Sequence, residues 1–130
     1  MPAVKDIMTD GVVTIGPTAT IGEAIELLLA RRVSGLPVVE ADETLVGIIT
    51  EFALLGLAYD QAIMSQTVAE HMTRTLLTVE VDEPVSKVAD LCIVHRVRRL
   101  PVLDGGRLVG LVSRRDVLEA ICQPAPEFVG

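Results

Sequence analysis

The chain has 130 residues, of which 50% are hydrophobic and 2% aromatic, and its formal net charge is −7 at pH 7. This acidic balance disfavours general binding to nucleic acid, which needs a basic surface and aromatic platforms for the bases. The apolar fraction excludes a disordered chain, and two cysteines are too few for a disulfide-dense scaffold.

Membrane and export signals are lacking in the sequence. No apolar run approaches the roughly 18 to 20 residues that a transmembrane helix needs. Residues 1–6 have neither the basic start nor the apolar centre of a signal peptide. We therefore expect a cytoplasmic protein without membrane association, in which Cys92 and Cys122 are reduced thiols.

The first half of the chain predicts alternating strands and helices. Residues 12–15 form a candidate strand, and an apolar stripe over 21–29 predicts a helix. Thr20 and Glu23 supply a capping box for that helix. Short apolar runs predict two strands over 36–39 and 45–49. Thr50 then serves as the N-cap of a second helix.

The second half predicts the same elements in the same order. Residues 75–79 form a candidate strand, and an apolar stripe over 85–93 predicts a helix. Two strands over 100–103 and 108–112 flank a hairpin turn at Gly105 and Gly106. Ser113 is the N-cap of the last helix. Each half therefore follows the order β-α-β-β-α.

The two halves are an internal duplication. Residues 4–9 match residues 68–73 at a shift of 64, and residues 47–50 match residues 110–113 at a shift of 63. We assign residues 1–62 to a first repeat, 63–122 to a second, and 123–130 to a proline-interrupted tail that packs on a neighbouring chain through Phe128. Because a unit of this size is marginal alone, we expect the repeats to bury apolar faces against each other.

Three motifs carry a resemblance to a known family. Each repeat contains Met-Thr near its start, then Arg-Val followed by Leu-Pro-Val, then Gly-x-x-Thr or Gly-x-x-Ser. These motifs resemble those of cystathionine-β-synthase-type (CBS) domains, and a tandem of two resembles a Bateman module. The resemblance implies an α+β fold in which two repeats, related by a pseudo-twofold axis, pack through their sheets. It also implies two clefts between the repeats that bind adenosine-containing ligands.

The last helix carries the most informative residues. The segment from Gly110 to Asp116 matches the family signature Gly-x-x-Ser/Thr-x-x-Asp. A carboxylate such as that of Asp116 can accept hydrogen bonds from both hydroxyls of a ribose. The helix N-terminus, with Arg114 and Arg115, suits a phosphate. A second interpretation needs no ligand, because Ser113 and Asp116 also have the spacing of a capping box.

The resemblance adds a set of partner residues for Asp116 from the first repeat. The full set of predicted ligand-binding residues is Thr9, Val13, Val33, Ser34, Gly35, Ser113, Arg114, Arg115 and Asp116, with His95 and Arg96 as further candidates for phosphate contacts. In this interpretation Val13 and Val33 enclose the base, and Gly35 permits close approach of the backbone. The alternative for residues 33–36 is a helix end at which Gly35 turns the chain into a strand.

The second cleft departs from the family pattern. Ala53 stands where the signature has aspartate, so this cleft has no acceptor for the ribose diol. The predicted lining residues of this degenerate cleft are Thr50, Val97, Arg98 and Arg99. We expect it to be empty or to bind weakly.

Metal and catalytic sites are not predicted. Cys92 and His95 lie three residues apart on a helix, but Cys92 falls on the apolar stripe, where a thiol acts as a small hydrophobe. Neither histidine accompanies a serine or cysteine nucleophile in a catalytic pattern.

The sequence thus predicts a non-catalytic regulatory module that requires no cofactor. Its regulatory ligand is AMP, ADP, ATP or S-adenosylmethionine, bound in the cleft that contains Asp116. A homodimer packed through its helices, with Leu54, Leu55 and Leu57 among the contacts, or a protein partner transmits the signal. One alternative is a ligand-free structural or adaptor homodimer in which Asp116 only caps a helix. Another is a nucleic-acid-binding module that uses the arginines of the cluster 96–99.

Overall fold

Helices and strands alternate along the chain in the computed structural model, which describes residues 2–122. In chain order, the elements of this part are α1 (Ile21–Arg31), β1 (Gly35–Val39), β2 (Leu45–Thr50), α2 (Glu51–Leu57), α3 (Val68–His71), β3 (Val79–Glu80), α4 (Val85–His95), β4 (Arg99–Asp104), β5 (Arg107–Ser113) and α5 (Arg114–Ile121). The predicted mixed α and β content is confirmed. The tail 123–130, including Phe128, lies outside the described residues. No helix within residues 2–122 combines the length and apolar content needed to cross a bilayer.

The predicted helix starts and turns are confirmed. The Thr20 hydroxyl accepts a hydrogen bond from the Glu23 amide at 3.1 Å, and the Glu23 carboxylate accepts one from the Thr20 amide at 2.9 Å. Gly105 and Gly106 both have positive φ, at 61° and 86°, as a tight hairpin requires. These features were predictable because each depends on residues close together in the sequence.

The described chain divides into two compact units. The repeat-one unit comprises residues 13–76 and 106–108, and the repeat-two unit comprises residues 2–12, 77–105 and 109–122. Residues 2–12 belong to the first repeat by sequence, yet they pack with the second. The boundary predicted between residues 62 and 63 separates the two sequence repeats. As a boundary between two domains it stays a prediction.

The repeat-one unit is built on the antiparallel pair β1 and β2, in which Pro37 lies opposite Ile48. Thr73, from the start of the second repeat, pairs with the outer edge of β2 through two hydrogen bonds with Ile48 at 2.8 and 3.0 Å. Its buried core consists of Ile15, Ile21, Ala24, Leu28, Leu36, Val38, Ile49, Leu54, Val68 and Met72. Leu54 is 3% exposed, so its predicted role as a surface contact is wrong, whereas Leu55 is 61% exposed.

The repeat-two unit contains a three-stranded sheet in the order β3-β4-β5, with β3 parallel to β4. Thr9 pairs with Leu111 of β5 through hydrogen bonds of 2.8 and 2.9 Å. The buried core consists of Val4, Val79, Val85, Val88, Cys92, Leu100, Val102, Val112 and Val117. Val4 is fully buried, so the N-terminal segment is an integral part of this core.

The predicted first strand of each repeat is shorter than expected. In the first repeat only Ile15 pairs, with Val38 of β1, and in the second the strand is limited to Val79–Glu80. Pro17 gives a physical reason why the pairing ends earlier in the first repeat than in the second. At the equivalent position Val81 donates its amide to the Leu103 carbonyl at 3.0 Å, whereas a proline has no amide hydrogen and cannot extend the pairing.

Two equivalent glycines permit the close approach of the Met-Thr segments. A Cβ at Gly110 would lie 2.8 Å from the Met8 sulfur and 2.9 Å from the Thr9 carbonyl oxygen. A Cβ at Gly47 would lie 2.5 Å from the Met72 sulfur. The Thr9 carbonyl belongs to the backbone pairing with β5 and cannot move without breaking it. A side chain at Gly110 is therefore excluded by backbone contact, and one at Gly47 would require Met72 to shift.

We expect Gly110→Ala to lower the free energy of unfolding by about 1–3 kcal/mol, because the added methyl overpacks the contact with Met8 and Thr9. Chemical denaturation measures this change. Gly16→Ala is the matched control, since no heavy atom lies within 4 Å of a Cβ at Gly16. We expect the control to stay within about 0.5 kcal/mol of the parent. Equal stability of both variants would contradict the steric role of Gly110.

Candidate functional site

Asp116 lies in the first turn of α5, where the chain leaves β5. Its Oδ2 accepts a hydrogen bond from the Ser113 amide at 2.8 Å, and the Ser113 hydroxyl accepts one from the Asp116 amide at 3.0 Å. The interpretation of Ser113 and Asp116 as a capping box is confirmed. The Asp116 residue is half-buried, and capping engages one of its two carboxylate oxygens.

The N-terminus of α5 is partly satisfied by the chain itself. The Arg114 amide donates to the Arg98 carbonyl at 2.9 Å, and the Asp116 amide donates to Ser113. Two of the first three amides of the helix are therefore engaged. This helix end offers a phosphate fewer free donors than the sequence alone indicates.

The predicted phosphate-contacting side chains are at the surface of the repeat-two unit. Arg115 forms an ion pair with Glu119 at 3.3 Å, and the two side chains are 85% and 67% exposed. Arg114, His95 and Arg96 are also exposed, and Arg96 has a left-handed conformation that ends α4. An exposed pair such as Arg115 and Glu119 contributes little to stability.

An open cavity of about 350 Å³ lies beside Asp116 within the repeat-two unit. The side chains that line it, besides Asp116, are Pro2, Asp6, Ile7, Glu119 and Ala120. Sequence reasoning missed Asp6 and Ile7. They reach the start of α5 because the segment after them pairs with β5 through Thr9, a contact between residues about a hundred positions apart.

Of the other predicted ligand residues, Thr9 is exposed and belongs to the repeat-two unit, and the rest belong to the repeat-one unit. Val13, Val33 and Gly35 are half-buried, and Ser34 is exposed. The Ser34 carbonyl accepts a hydrogen bond from the Glu51 amide at 2.9 Å, as the Arg98 carbonyl does from Arg114 in the second repeat. The structure thus distributes the predicted residues between two units.

The turn interpretation of residues 33–36 needs a correction. Arg32, with φ of 54°, is the left-handed residue that ends α1, whereas Gly35 is the first residue of β1. A Cβ at Gly35 would lie 3.7 Å from the nearest atom, the Ile49 carbonyl oxygen, which is an ordinary contact. Packing within the unit therefore does not require glycine at position 35.

The equivalent site of the first repeat has half of the capping box. The Thr50 hydroxyl accepts a hydrogen bond from the Ala53 amide at 3.2 Å, but Ala53 has no carboxylate to accept from Thr50. The residues predicted for the degenerate cleft are again divided, with Thr50 in the repeat-one unit and Val97, Arg98 and Arg99 in the repeat-two unit. Val97 is half-buried, and Arg98 and Arg99 are exposed.

Cys92 lies in the core of the repeat-two unit and is 9% exposed. Burial raises the pKa of its thiol, and the positive charge of Arg114 acts in the opposite direction. Cys122 is exposed. Among residues 2–122, no group of three or more His, Cys, Asp or Glu side chains is arranged to hold a metal ion.

Comparison with known proteins gives a consistent match along the chain. A family model described as CBS domain matches twice, at residues 4–60 and 68–123. The CBS domain-containing protein YhcV of Bacillus subtilis is 34% identical over 131 residues, which cover 100% of this chain and 91% of that protein. The chain spans only 42% and 22% of two longer relatives from Methanocaldococcus jannaschii, the second an inosine-5′-monophosphate dehydrogenase.

Solved structures of other proteins match this chain over nearly its whole length. CBSX2 in complex with AMP has a TM-score of 0.83 and 31% identity, and the match covers 95% of this chain and 98% of that one. The CBS domain pair of MJ0100, in complex with 5′-methylthioadenosine and S-adenosyl-L-methionine, has a TM-score of 0.77 and 32% identity, with 94% and 97% covered.

We expect Ala53→Asp to raise the free energy of unfolding by about 0.5–1 kcal/mol, because it completes the capping box at α2 and places a negative charge at a helix N-terminus. Asp116→Ala is the reciprocal variant, and we expect it to lower the free energy of unfolding by a similar amount. Urea denaturation measures both. A stability that stays the same or falls in Ala53→Asp would contradict the equivalence of the two helix starts.

We expect the Cys92 thiol to react with iodoacetamide far more slowly than that of Cys122, because it is buried and its pKa is raised. The Cys122→Ser variant isolates Cys92, and mass spectrometry measures labelling at pH 8 with and without urea. Folding raises the pKa of the Cys92 thiol. The contribution of this thiol to stability is therefore fully present below the ordinary pKa of a cysteine and is lost as pH rises through the raised pKa of the folded protein. Rapid labelling of Cys92 in the folded variant would contradict its burial.

Proposed function

The chain belongs to the CBS domain family and carries two copies of the domain in tandem, a Bateman module, and on this basis we propose that it is a non-catalytic sensor that binds an adenosine-containing ligand at Asp116. CBS pairs are generally regulatory modules, although some relatives are enzymes that carry the pair as one part of a longer chain. Two structurally similar CBS-pair proteins hold AMP or S-adenosyl-L-methionine and 5′-methylthioadenosine. Adenosine is the moiety that these ligands share.

The position of Asp116 on the wall of a cavity is the observation that carries the proposal. The cavity, about 350 Å³, has room for a ribose, and the carboxylate is half-buried at its edge. A carboxylate offers about four acceptor positions. Capping through Oδ2 therefore leaves acceptor capacity for the two hydroxyls of a ribose. Capping and ligand binding by Asp116 are compatible.

The remaining contacts of the ligand are part of the same proposal. Val13 and Val33, both half-buried, supply apolar contacts for the base, and Ser34 and Gly35 supply polar groups and close approach of the backbone. Arg114, exposed at the start of α5, and Arg96 and His95, at the end of α4, supply positive charge for a phosphorylated ligand. Whether the ligand is AMP, ADP, ATP or S-adenosylmethionine depends on these contacts.

A homodimer is the proposed means of transmission. Leu29, Phe52 and Leu55 are 67%, 87% and 61% exposed on α1 and α2, and such clusters of apolar side chains are typical of protein interfaces. A ligand can shift the packing of two copies only if it binds one arrangement more tightly than the other. The proposed signal is this shift, which a protein partner can also detect.

The competing function is a ligand-free structural homodimer. The completed capping box supports this function, because it accounts for Asp116 without any ligand. The two functions differ in one measurable property, the response of the folded protein to adenosine compounds.

We expect at least one of AMP, ADP, ATP and S-adenosylmethionine to raise the melting temperature of the protein, whereas GMP does not. A ligand at about 100 times its dissociation constant adds roughly 2.7 kcal/mol to the free energy of unfolding. Asp116→Asn keeps a carbonyl oxygen that can cap α5 but removes the charge. We expect this variant to bind the ligand about 10–100 times more weakly, since hydrogen bonds to charged groups contribute about 1.5–3 kcal/mol.

The control for this experiment is Asp90→Asn, which changes an exposed carboxylate in the same unit. An equal response of Asp116→Asn and the parent to every adenosine compound would contradict the role of Asp116. If none of the compounds changes the melting temperature of the parent, the ligand-free structural function replaces the proposed one. Binding to DNA or RNA that weakens with salt and in Arg98→Ala would instead indicate the nucleic-acid-binding alternative.

A further inference from the structure

One edge of the sheet in the repeat-one unit has backbone groups without partners. Ile15 pairs with β1 in parallel, because its amide donates to the Pro37 carbonyl at 3.1 Å and its carbonyl accepts from the Val39 amide at 2.9 Å. Neighbouring residues of a strand direct their backbone groups to opposite sides, so the Thr14 carbonyl and the Gly16 amide face away from β1. Within the described part of the chain, neither group has a hydrogen-bond partner. We call this the open edge.

The equivalent edge of the repeat-two unit is closed by a side chain. A similar turn follows the edge in both repeats: the Ala19 amide donates to the Gly16 carbonyl at 3.3 Å, and the Glu83 amide donates to the Glu80 carbonyl at 3.1 Å. The Glu83 carboxylate then accepts a hydrogen bond from the Glu80 amide at 2.8 Å. Ala19 has no carboxylate to do the same, and no heavy atom lies within 4 Å of a Cβ at Gly16. The Gly16 amide is therefore accessible.

A groove of about 440 Å³ lies beside the open edge. The residues that line it are Ile15, Ala19, Glu23, Glu26, Leu27 and Ala30. The side chains of Glu23 and Glu26 are exposed, and no cation within residues 2–122 forms an ion pair with either of them. Apolar surface and uncompensated negative charge thus occur together next to the backbone groups of the open edge.

We propose that an extended segment of a protein partner, with an arginine or a lysine at its centre, adds to the open edge as a parallel strand. The central residue lies beside Ile15 as Ile15 lies beside Val38. Its amide donates to the Thr14 carbonyl, and its carbonyl accepts from the Gly16 amide. This inference goes beyond the proposed function, because it uses neither Asp116 nor the cavity beside it.

The groove selects a basic side chain at the central position. Residues side by side in a sheet direct their side chains to the same face, so the central side chain lies on the face of Ile15, which lines the groove. Arginine and lysine combine an apolar stem with a charged end. The stem covers Ile15 and Leu27, and the charge lies near Glu26. The net charge of −7 also favours the approach of a basic segment.

The repeat-two edge does not offer the same site. Its Glu80 amide is already engaged by Glu83. At the position equivalent to Glu23 stands Lys87, which repels a basic segment, and the position equivalent to Ala30 is occupied by the larger Val94. The proposed segment therefore distinguishes the two repeats.

Peptide binding tests the inference. The probe is the fluorescein-labelled peptide Val-Thr-Arg-Thr-Val with an amidated C-terminus, and fluorescence anisotropy over a concentration series of the full chain measures its dissociation constant. We expect the same peptide with glutamate at its centre to bind about tenfold or more weakly, because it brings a like charge to the two carboxylates. Methylation of the central amide nitrogen is expected to weaken binding about tenfold, since it removes the hydrogen bond to the Thr14 carbonyl.

Two substitutions introduce features of the second repeat at the open edge. Ala19→Glu supplies the counterpart of Glu83, and we expect it to engage the Gly16 amide and to weaken binding of the arginine peptide about tenfold. Glu26→Lys is expected to weaken the arginine peptide about tenfold and to strengthen the glutamate peptide. Asp90→Lys, at the exposed equivalent position of the second repeat, is the matched control and leaves binding unchanged. Circular dichroism and the melting temperature establish that each variant is folded.

The inference is overturned if the parent protein at about 1 mM does not bind the arginine peptide. Equal binding of the arginine and glutamate peptides, or of the methylated and unmethylated peptides, also overturns it, because the first result removes the role of charge and the second that of the backbone. A loss of binding in Asp90→Lys as large as that in Glu26→Lys would place the peptide elsewhere. The adenosine-induced change in melting temperature, measured on Ala19→Glu, reports on Asp116 separately.

Discussion

The close approach of a short Met-Thr segment to a glycine in a strand is the contact on which the architecture depends. At Gly110 a Cβ would lie within 3 Å of Met8 and Thr9, and at Gly47 it would lie within 3 Å of Met72. The absence of a side chain lets Thr9 pair with Leu111, and lets Thr73 pair with Ile48. Each segment thereby joins a unit formed mainly by the other repeat. The duplication is therefore preserved in the sequence but interleaved in the fold.

This interleaving also builds the candidate site. The N-terminal segment, held by the pairing of Thr9 and by the buried side chain of Val4, brings Asp6 and Ile7 to the start of α5. The cavity beside Asp116 exists because of that long-range contact. A carboxylate that only capped a helix would need no cavity, and a carboxylate that only bound a ribose would need no Ser113. Asp116 has both features, so the proposed ligand binding involves the same side chain that caps α5.

The differences between the two copies follow from single residues. Pro17 ends the pairing that Val81 continues, because it lacks an amide hydrogen. Ala53 leaves half of the capping box that Asp116 completes. Phe52 is an exposed aromatic residue at the position equivalent to Arg115, which forms an ion pair with Glu119. The two copies thus share a backbone plan and differ in the chemistry of equivalent positions.

The amino-acid sequence alone determined the repeat, the helix starts at Thr20, Thr50 and Ser113, the hairpin at Gly105 and Gly106, and the signature ending at Asp116. The repeat is found by comparing two stretches of sequence, and the other features depend on residues within a few positions of each other, since caps, turns and apolar periodicity are local. The tertiary structure decided which unit residues 2–12 join, that Asp6 and Ile7 line the cavity, that Leu54 is buried, and that Arg115 pairs with Glu119. Most of these outcomes depend on contacts between distant segments, and the last on a choice among side-chain partners, which periodicity and spacing do not specify.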